Sequence, residues 1–325
     1  MNKVTVGVLG ASGYAGRELC ELIARHPGLA LGFAAANSRA GDVISVAGRP
    51  VTLLGPDDVR LDQAEVVFSA LPHGASIKWV EAARSAGAKV VDLSADLRPG
   101  NGAPTEGPLA AAPYGLTELM RQELFGADVV ANPGCYPTAI LIALAPLLER
   151  GLVAPGATIN VAAASGVTGA GNSPKPELLF GEVTENYRAY GVGNEHRHLN
   201  EMRAMIARMG SDADLIFTPH LLPVARGILA TITVPMTEKL AHPLALWQHA
   251  YADEPFVEVA ETTPSLRDVV HRNVVRVSAV QAANVRQPTM IVTAAIDNLV
   301  KGAAGQAIQN ANVLLGIAEP TGLPL

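Results

Sequence analysis

Short apolar runs separated by helical repeats mark the first 135 residues. Val4–Leu9, Leu29–Ala35, Val66–Ala70, Lys89–Asp92 and Val129–Ala131 are brief and dense in apolar residues, and they read as strands. Between them Ala15–Arg25 sets Leu19, Leu22 and Ile23 on one helical face, and Ala75–Ala86 repeats the spacing with Ile77, Val80 and Ala83. Strands alternating with helices predict a parallel sheet, because each parallel pair needs a crossover that returns over one face. From about residue 156 the strand-like segments lengthen: Ala157–Ala164, Leu215–Thr218, Ile228–Val234 and Val274–Val280, with polar loops between them. That texture predicts an α+β arrangement around a mixed or antiparallel sheet. Asn298–Leu315 reads as a closing helix, and no internal repeat or low-complexity tract interrupts the chain.

Composition narrows the class. A chain of 325 residues exceeds one ordinary core, which stops growing near ~250–300 residues, so two domains are expected. Hydrophobic residues make up 49% and charged ones 17%, enough apolar surface for compact folding. The formal net charge of −6 and the absence of a Lys/Arg run argue against a nucleic-acid partner. Gly10 to Gly16 cut the first apolar segment short, so it does not read as a signal peptide, and no run reaches the ~18 apolar residues of a membrane span. Two cysteines, Cys20 and Cys135, are too few for a disulfide framework and fit a reducing, cytoplasmic compartment.

The first chemical signal is Gly10-Ala11-Ser12-Gly13-Tyr14-Ala15-Gly16, set between the first strand and the first helix. Gly10 suits a tight turn, Gly13 a close approach of backbone N–H groups to a pyrophosphate, and Gly16 close packing of helix on strand. The end of the second strand carries Ala36-Asn37-Ser38-Arg39 instead of the carboxylate that holds a ribose 2′-hydroxyl. Ser38 and Arg39 can hydrogen-bond a 2′-phosphate, so NADP (as NADPH) is expected over NAD. His73, in Leu71-Pro72-His73-Gly74 after a strand, is expected to line the nicotinamide edge of that cleft.

The second signal is Asn132-Pro133-Gly134-Cys135-Tyr136-Pro137-Thr138, followed by the apolar run Ala139–Leu148. Pro137 suits a first helical turn, which puts Cys135 at a helix N-terminus where peptide dipoles favour thiolate. Cys20 lies inside the first crossover helix and reads as a small buried hydrophobe. Among eight histidines, His196 and His198 stand in Glu195-His196-Arg197-His198 ahead of an expected helix Asn200–Met209, placed to serve a thiol nucleophile as acid–base. In an extended segment the two rings point the same way, and in a helix they diverge. No third ligand at characteristic spacing accompanies them, which disfavours a metal.

Taken with Ser165-Gly166-Val167-Thr168-Gly169-Ala170-Gly171, Pro223-Val224-Ala225-Arg226-Gly227-Ile228-Leu229 and Asp297-Asn298-Leu299-Val300-Lys301-Gly302, these motifs resemble those of the N-acetyl-γ-glutamyl-phosphate reductases of arginine biosynthesis, relatives of aspartate-semialdehyde dehydrogenase. One departure is Asn200-Glu201, where the family usually has Pro-Glu after the histidines. The resemblance implies a Rossmann-type doubly wound NADP domain, 1–134 with 298–325, and an α+β catalytic and oligomerisation domain, 135–297. It implies a Cys135 thioester, His196 or His198 as acid–base, and a homo-oligomer, dimer or tetramer, acting on a small-molecule acyl phosphate. Such a substrate carries phosphate and carboxylate. Arg98, Arg197 and Arg226 are therefore the expected anchors, with Tyr114, Asn132 and Gly169 beside them, while Ser165, Gly166 and Asn298 are expected to touch cofactor. Ser165–Gly171 also offers backbone N–H groups to a phosphate. The competing readings are the same chemistry on an aspartyl or carrier-linked aminoadipyl phosphate, and a non-catalytic NADP-binding redox sensor.

Overall fold

The computed structural model describes residues 3–110 and 112–325. The chain divides into two compact units, residues 1–134 with 303–324 and residues 135–302. The first is built on β1 (Val4–Leu9), α1 (Tyr14–Arg25), β2 (Leu29–Ala35), β3 (Val43–Val46), β4 (Arg49–Thr52), β5 (Val66–Ser69), α2 (Ile77–Ser85), β6 (Lys89–Asp92), α3 (Thr117–Leu124) and β7 (Val129–Ala131). Five parallel strands lie in the order β2-β1-β5-β6-β7. Val6, Val8, Val66, Val67, Phe68, Val90 and Val91 are all at 0% exposure, as expected of strands covered on both faces. The chain runs from β1 to β2 on one side and then to β5 on the other. The carboxyl ends of β1 and β5 therefore flank the point where strand order reverses, the usual ligand crevice of such sheets.

The β3–β4 hairpin is absent from the sequence expectation. Its turn is Ala47-Gly48, with φ 46 and φ 78, and a left-handed alanine carries none of the Asn-Gly signal that announces such turns. The Glu21 carboxylate from α1 accepts the Ala47 N–H, which helps hold this strained residue in place.

The second unit contains α4 (Cys135–Glu149), β8 (Thr158–Gly166), α5 (Phe180–Val183), β9 (Arg188–Ala189), α6 (His198–Arg208), β10 (Asp214–Leu222), β11 (Ile228–Pro235), α7 (Pro243–Ala250), β12 (Val257–Val259), β13 (Val275–Gln281) and β14 (Thr289–Ile296). Its mixed sheet runs β12-β13-β14-β11-β8-β10-β9. β14 was outside the predicted strands although Ile291–Thr293 is a β-branched run. Alternate residues such as Val161, Phe217, Ile232 and Val292 are buried on the helix-covered face. The opposite face exposes Ala162, Ile216, Thr231 and Val280.

The closing helix is not continuous from Asn298. A π-helical turn, Val300–Ala304, precedes α8 (Gly305–Leu314). The Asp297 carboxylate accepts the Leu299 and Val300 N–H groups and the Asp297 carbonyl accepts that of Gly302, which widens the first turn. α8 returns to the first unit with every residue buried, polar ones included. Gln306 and Asn310 donate to the Gly115 carbonyl, and Asn310 also donates to Asn132 Oδ1.

Candidate functional site

Each unit carries its own cluster. In the first, Gly10 has φ +79, and a side-chain carbon there would stand 2.4 Å from the Ala70 carbonyl oxygen. At Gly16 one would meet the Gly10 oxygen at 2.2 Å, so these two glycines are required by close backbone approach. A side-chain carbon at Gly13 would meet the Gly10 oxygen at 3.4 Å, an ordinary contact; Gly13 is the N-cap of α1, and no side chain caps that helix. Uncapped N–H groups at the end of a parallel strand are what a pyrophosphate needs, so the residues present fit a dinucleotide. Ala11 is buried, Tyr14 is exposed, and Ser12 and Ala15 lie between those extremes. Ser38 and Arg39 are exposed just past β2, where Arg39 Nε donates to Asp42 Oδ2 at 2.7 Å.

Beyond β5 and β6 a buried polar network holds the Leu71-Pro72-His73-Gly74 turn. Asp96, 3% exposed, accepts the Gly74 and Ser76 N–H groups, and one of its oxygens lies 2.5 Å from His73 Nδ1. Ser76 Oγ donates to Asp92 Oδ1 at 2.6 Å, and Ser94 donates to the same carboxylate through N–H and hydroxyl. Burial lifts the Asp92 carboxyl above the usual range, against the hydrogen bonds of Ser76 and Ser94 and the charge of Arg98. This network went unread in the sequence, although Asp92, Ser94 and Asp96 at alternate positions after an apolar strand were its signal.

In the second unit Cys135 opens α4, half-buried, and Gly302 leaves it room: a carbon on Gly302 would come within 2.7 Å of Cys135 Cβ. The next residue, Tyr136, packs edge-on to His196 and His198 with ring centroids 5.6 and 6.1 Å away. The two imidazoles are 4.8 Å apart. They converge because His196 precedes the helix and His198 is its first residue, an arrangement neither extended nor fully helical. The His198 N–H donates to His196 Nδ1 at 3.2 Å, which makes that nitrogen an acceptor and leaves the proton on Nε2. Burial, then the neighbouring Arg197 charge, push His196 down to about 4. A histidine near ~6.5 in the unfolded chain takes up a proton that the folded chain refuses, so His196 costs stability as pH falls from ~6.5 towards 4.

Tyr136 and Tyr190 share a hydroxyl–hydroxyl hydrogen bond of 3.0 Å. Burial pushes Tyr190 up to about 12, with the Cys135 charge adding to it and the bond from Tyr136 opposing it, so both phenols stay protonated beside the sulfur. Cys20, buried in α1, is likewise pushed up to about 12 by burial and then by Glu21. It behaves as a packing residue.

The expected anchors fare unequally. Arg197 is exposed at the start of α6. Arg226 is one-fifth exposed and donates to Asp297 Oδ2. Arg98 is 5% exposed and donates to the Asn132 and Leu93 carbonyls, so much of its fork is engaged within the fold. Tyr114 is 3% exposed. Asn132 is at 0% exposure; its amide oxygen accepts from Asn310 and its nitrogen donates to the Pro133 and Ala303 carbonyls. The Asn298 oxygen accepts the Gly227 N–H at 2.7 Å and its nitrogen donates to Thr168 Oγ1. Ser165 is 3% exposed and hydrogen-bonded to the Gly166 carbonyl and to Tyr136. Buried Gly166 presses on the Ala225–Arg226 backbone, and Gly169 is exposed above Ser165.

Comparison with known proteins agrees with this geometry. The semialdehyde dehydrogenase NAD binding domain family matches residues 5–127, and the semialdehyde dehydrogenase dimerisation domain family matches residues 135–298. A curated N-acetyl-gamma-glutamyl-phosphate reductase of Halorhodospira halophila is 40% identical over 98% of this chain and 98% of its own. One from Desulforudis audaxviator is 41% identical with the same two coverages. The chain belongs to the N-acetyl-γ-glutamyl-phosphate reductase family. Among solved structures, aspartate semialdehyde dehydrogenase II of Vibrio cholerae superposes with a TM-score of 0.77 at 18% identity, covering 97% of this chain and 99% of that one. At that identity the likeness speaks for the fold, which the reductase family shares with the wider semialdehyde dehydrogenases. The first unit is thus a nicotinamide-cofactor domain and the second carries the family's dimerisation module.

Proposed function

We propose that this chain reduces N-acetyl-γ-glutamyl phosphate to N-acetylglutamate semialdehyde and phosphate with NADPH, through a thioester on Cys135. The observation that carries this reading is the cysteine at the head of α4, whose next residue, Tyr136, packs on two imidazoles 4.8 Å apart. The curated relatives favour the acetylglutamyl substrate over the aminoadipyl one, and a redox sensor has no use for this cluster.

Phosphate is a good leaving group, so a thiolate held at a helix N-terminus displaces it with little further help. The Cys135 sulfur attacks the carbonyl carbon and inorganic phosphate departs. Bound NADPH supplies the hydride. The resulting oxyanion is stabilised by the Cys135 backbone N–H and by His196 Nε2–H, which is neutral and oriented. His198 is the proton carrier, since its neighbour is held neutral by the bond at Nδ1 and by burial. Collapse of the adduct then releases the aldehyde and restores the thiolate. Arg197 and Arg226 take the substrate's anionic groups, and Arg39 takes the 2′-phosphate of NADP.

The test is the reaction run backwards: N-acetylglutamate semialdehyde, phosphate and NADP⁺ should give NADPH, and no signal would sink the reading. In the same assay Arg39→Ala should raise the KM for NADP⁺ roughly tenfold, one charge-assisted hydrogen bond, while NAD⁺ changes little. Equal loss for both would remove Arg39 from the 2′-phosphate.

The exposed sheet face bearing Ala162, Ile216, Thr231 and Val280 is the surface we assign to a homodimer of the cytoplasmic enzyme. Sedimentation should report twice the chain mass, falling to one chain mass for Ile216→Lys. A variant that stays dimeric would move the interface elsewhere.

A further inference from the structure

We propose that Asp297 is a positioning residue that aligns the Arg226 guanidinium for the substrate's oxyanion, phosphate or carboxylate; this rests on the reading above. Asp297 directly follows β14 at 0% exposure, and both of its carboxylate oxygens accept hydrogen bonds. One oxygen accepts the Leu299 and Val300 N–H groups at 2.7 and 3.0 Å, and the other accepts the His271 N–H at 2.7 Å and Arg226 Nη1 at 3.4 Å. His271 has φ 68, a left-handed backbone that a histidine rarely adopts, so the Asp297 contact there pins a strained residue. A buried carboxylate holding one corner of a planar fork fixes the direction of the remaining donors, which is how bidentate capture of an oxyanion is prepared.

The same residue borders both parts of the cluster that the chemistry needs. Its carbonyl accepts the Gly302 N–H at 2.9 Å, and Gly302 is the residue packed on Cys135 Cβ. Next to it, Asn298 holds the Gly227 N–H, and Gly227 has φ +108, so the backbone on both sides of Arg226 is set. Thr168, which accepts from Asn298, donates to the Ala225 carbonyl at 2.7 Å and draws the glycine-rich loop to the arginine. The Gly166, Val167 and Thr168 N–H groups of that loop donate to the Gly227, Val224 and Ala225 carbonyls, so the backbone that carries Arg226 is tied down on both sides.

A carboxylate that only capped the π-helical turn would leave substrate affinity alone, and kinetics separate the two cases. In the reverse assay with inorganic phosphate, N-acetylglutamate semialdehyde and NADP⁺, Asp297→Asn keeps the volume but turns a donor toward Arg226 or His271. It should raise one KM by roughly 10- to 100-fold, the size of one charge-assisted hydrogen bond. The KM for NADP⁺ and the rate of Cys135 alkylation by iodoacetamide should stay as they were. A rise for phosphate identifies the phosphate as the captured group, and a rise for the aldehyde identifies its carboxylate. In an Arg226→Gln background the Asp297→Asn effect should vanish. Unchanged KM values, or a full effect without Arg226, would overturn the proposal while the function stands; an inactive unmodified enzyme would overturn both. If Asp297→Asn fails to fold, Arg226→Lys replaces it: a point charge cannot span Asp297 and an oxyanion, so the same KM should rise, and wild-type values would refute the alignment.

Discussion

Replacing Cys135 by alanine should reduce turnover by roughly 10⁴-fold or more, the scale on which loss of a nucleophile acts, while the affinity for NADPH measured by fluorescence titration stays unchanged. The side chain is small and half-buried at the first position of α4, so its loss removes sulfur without opening a cavity in the core. The first unit's glycine turn is untouched by it. Burst kinetics sharpen the test: the unmodified enzyme should retain a labelled acyl group on one tryptic peptide containing Cys135, and the variant should retain none. Residual turnover within about tenfold of the unmodified enzyme would rule out the covalent route.

The histidines should separate just as clearly. His198→Gln is expected to lower kcat by about 10²–10⁴-fold, the usual range for loss of a general acid–base. His196→Gln should cost less, because an amide still donates a hydrogen bond towards the oxyanion. The pH profile decides between them. Burial and the Arg197 charge hold His196 down at about 4, below the working range, so the acid limb of kcat/KM should survive its replacement. An acid limb lost in the His196 variant would reverse the assignment.

Much of this was legible in the chain itself, and the reason differs by feature. Buried parallel strands announce themselves as short apolar runs, and β1, β2, β6 and β7 have the bounds that pattern implies. The helix start at Cys135 was legible because helix starts have local chemistry: Pro137 in the first turn and an apolar run behind it. What stayed hidden is what depends on long-range contact. The Ala47-Gly48 turn is stabilised by Glu21, 26 residues away, and nothing in its own sequence foretells it. Asn132 and Asn298 stand out in the sequence because they are polar and sit in motifs, but their partners Asn310, Gly227 and Thr168 lie far along the chain and leave no local signal. A buried amide that ties loops together and one that faces a ligand are the same letter.

The polar underside of α8 has a consequence for how the molecule comes to exist. Gln306 and Asn310 supply the hydrogen bonds for Gly115 and Asn132, groups that would otherwise lie unsatisfied inside the first unit. A chain leaving the ribosome presents residues 1–134 early and these amides last, after the whole of residues 135–302. The first unit is thus begun first and completed only after residues 135–302 have been made.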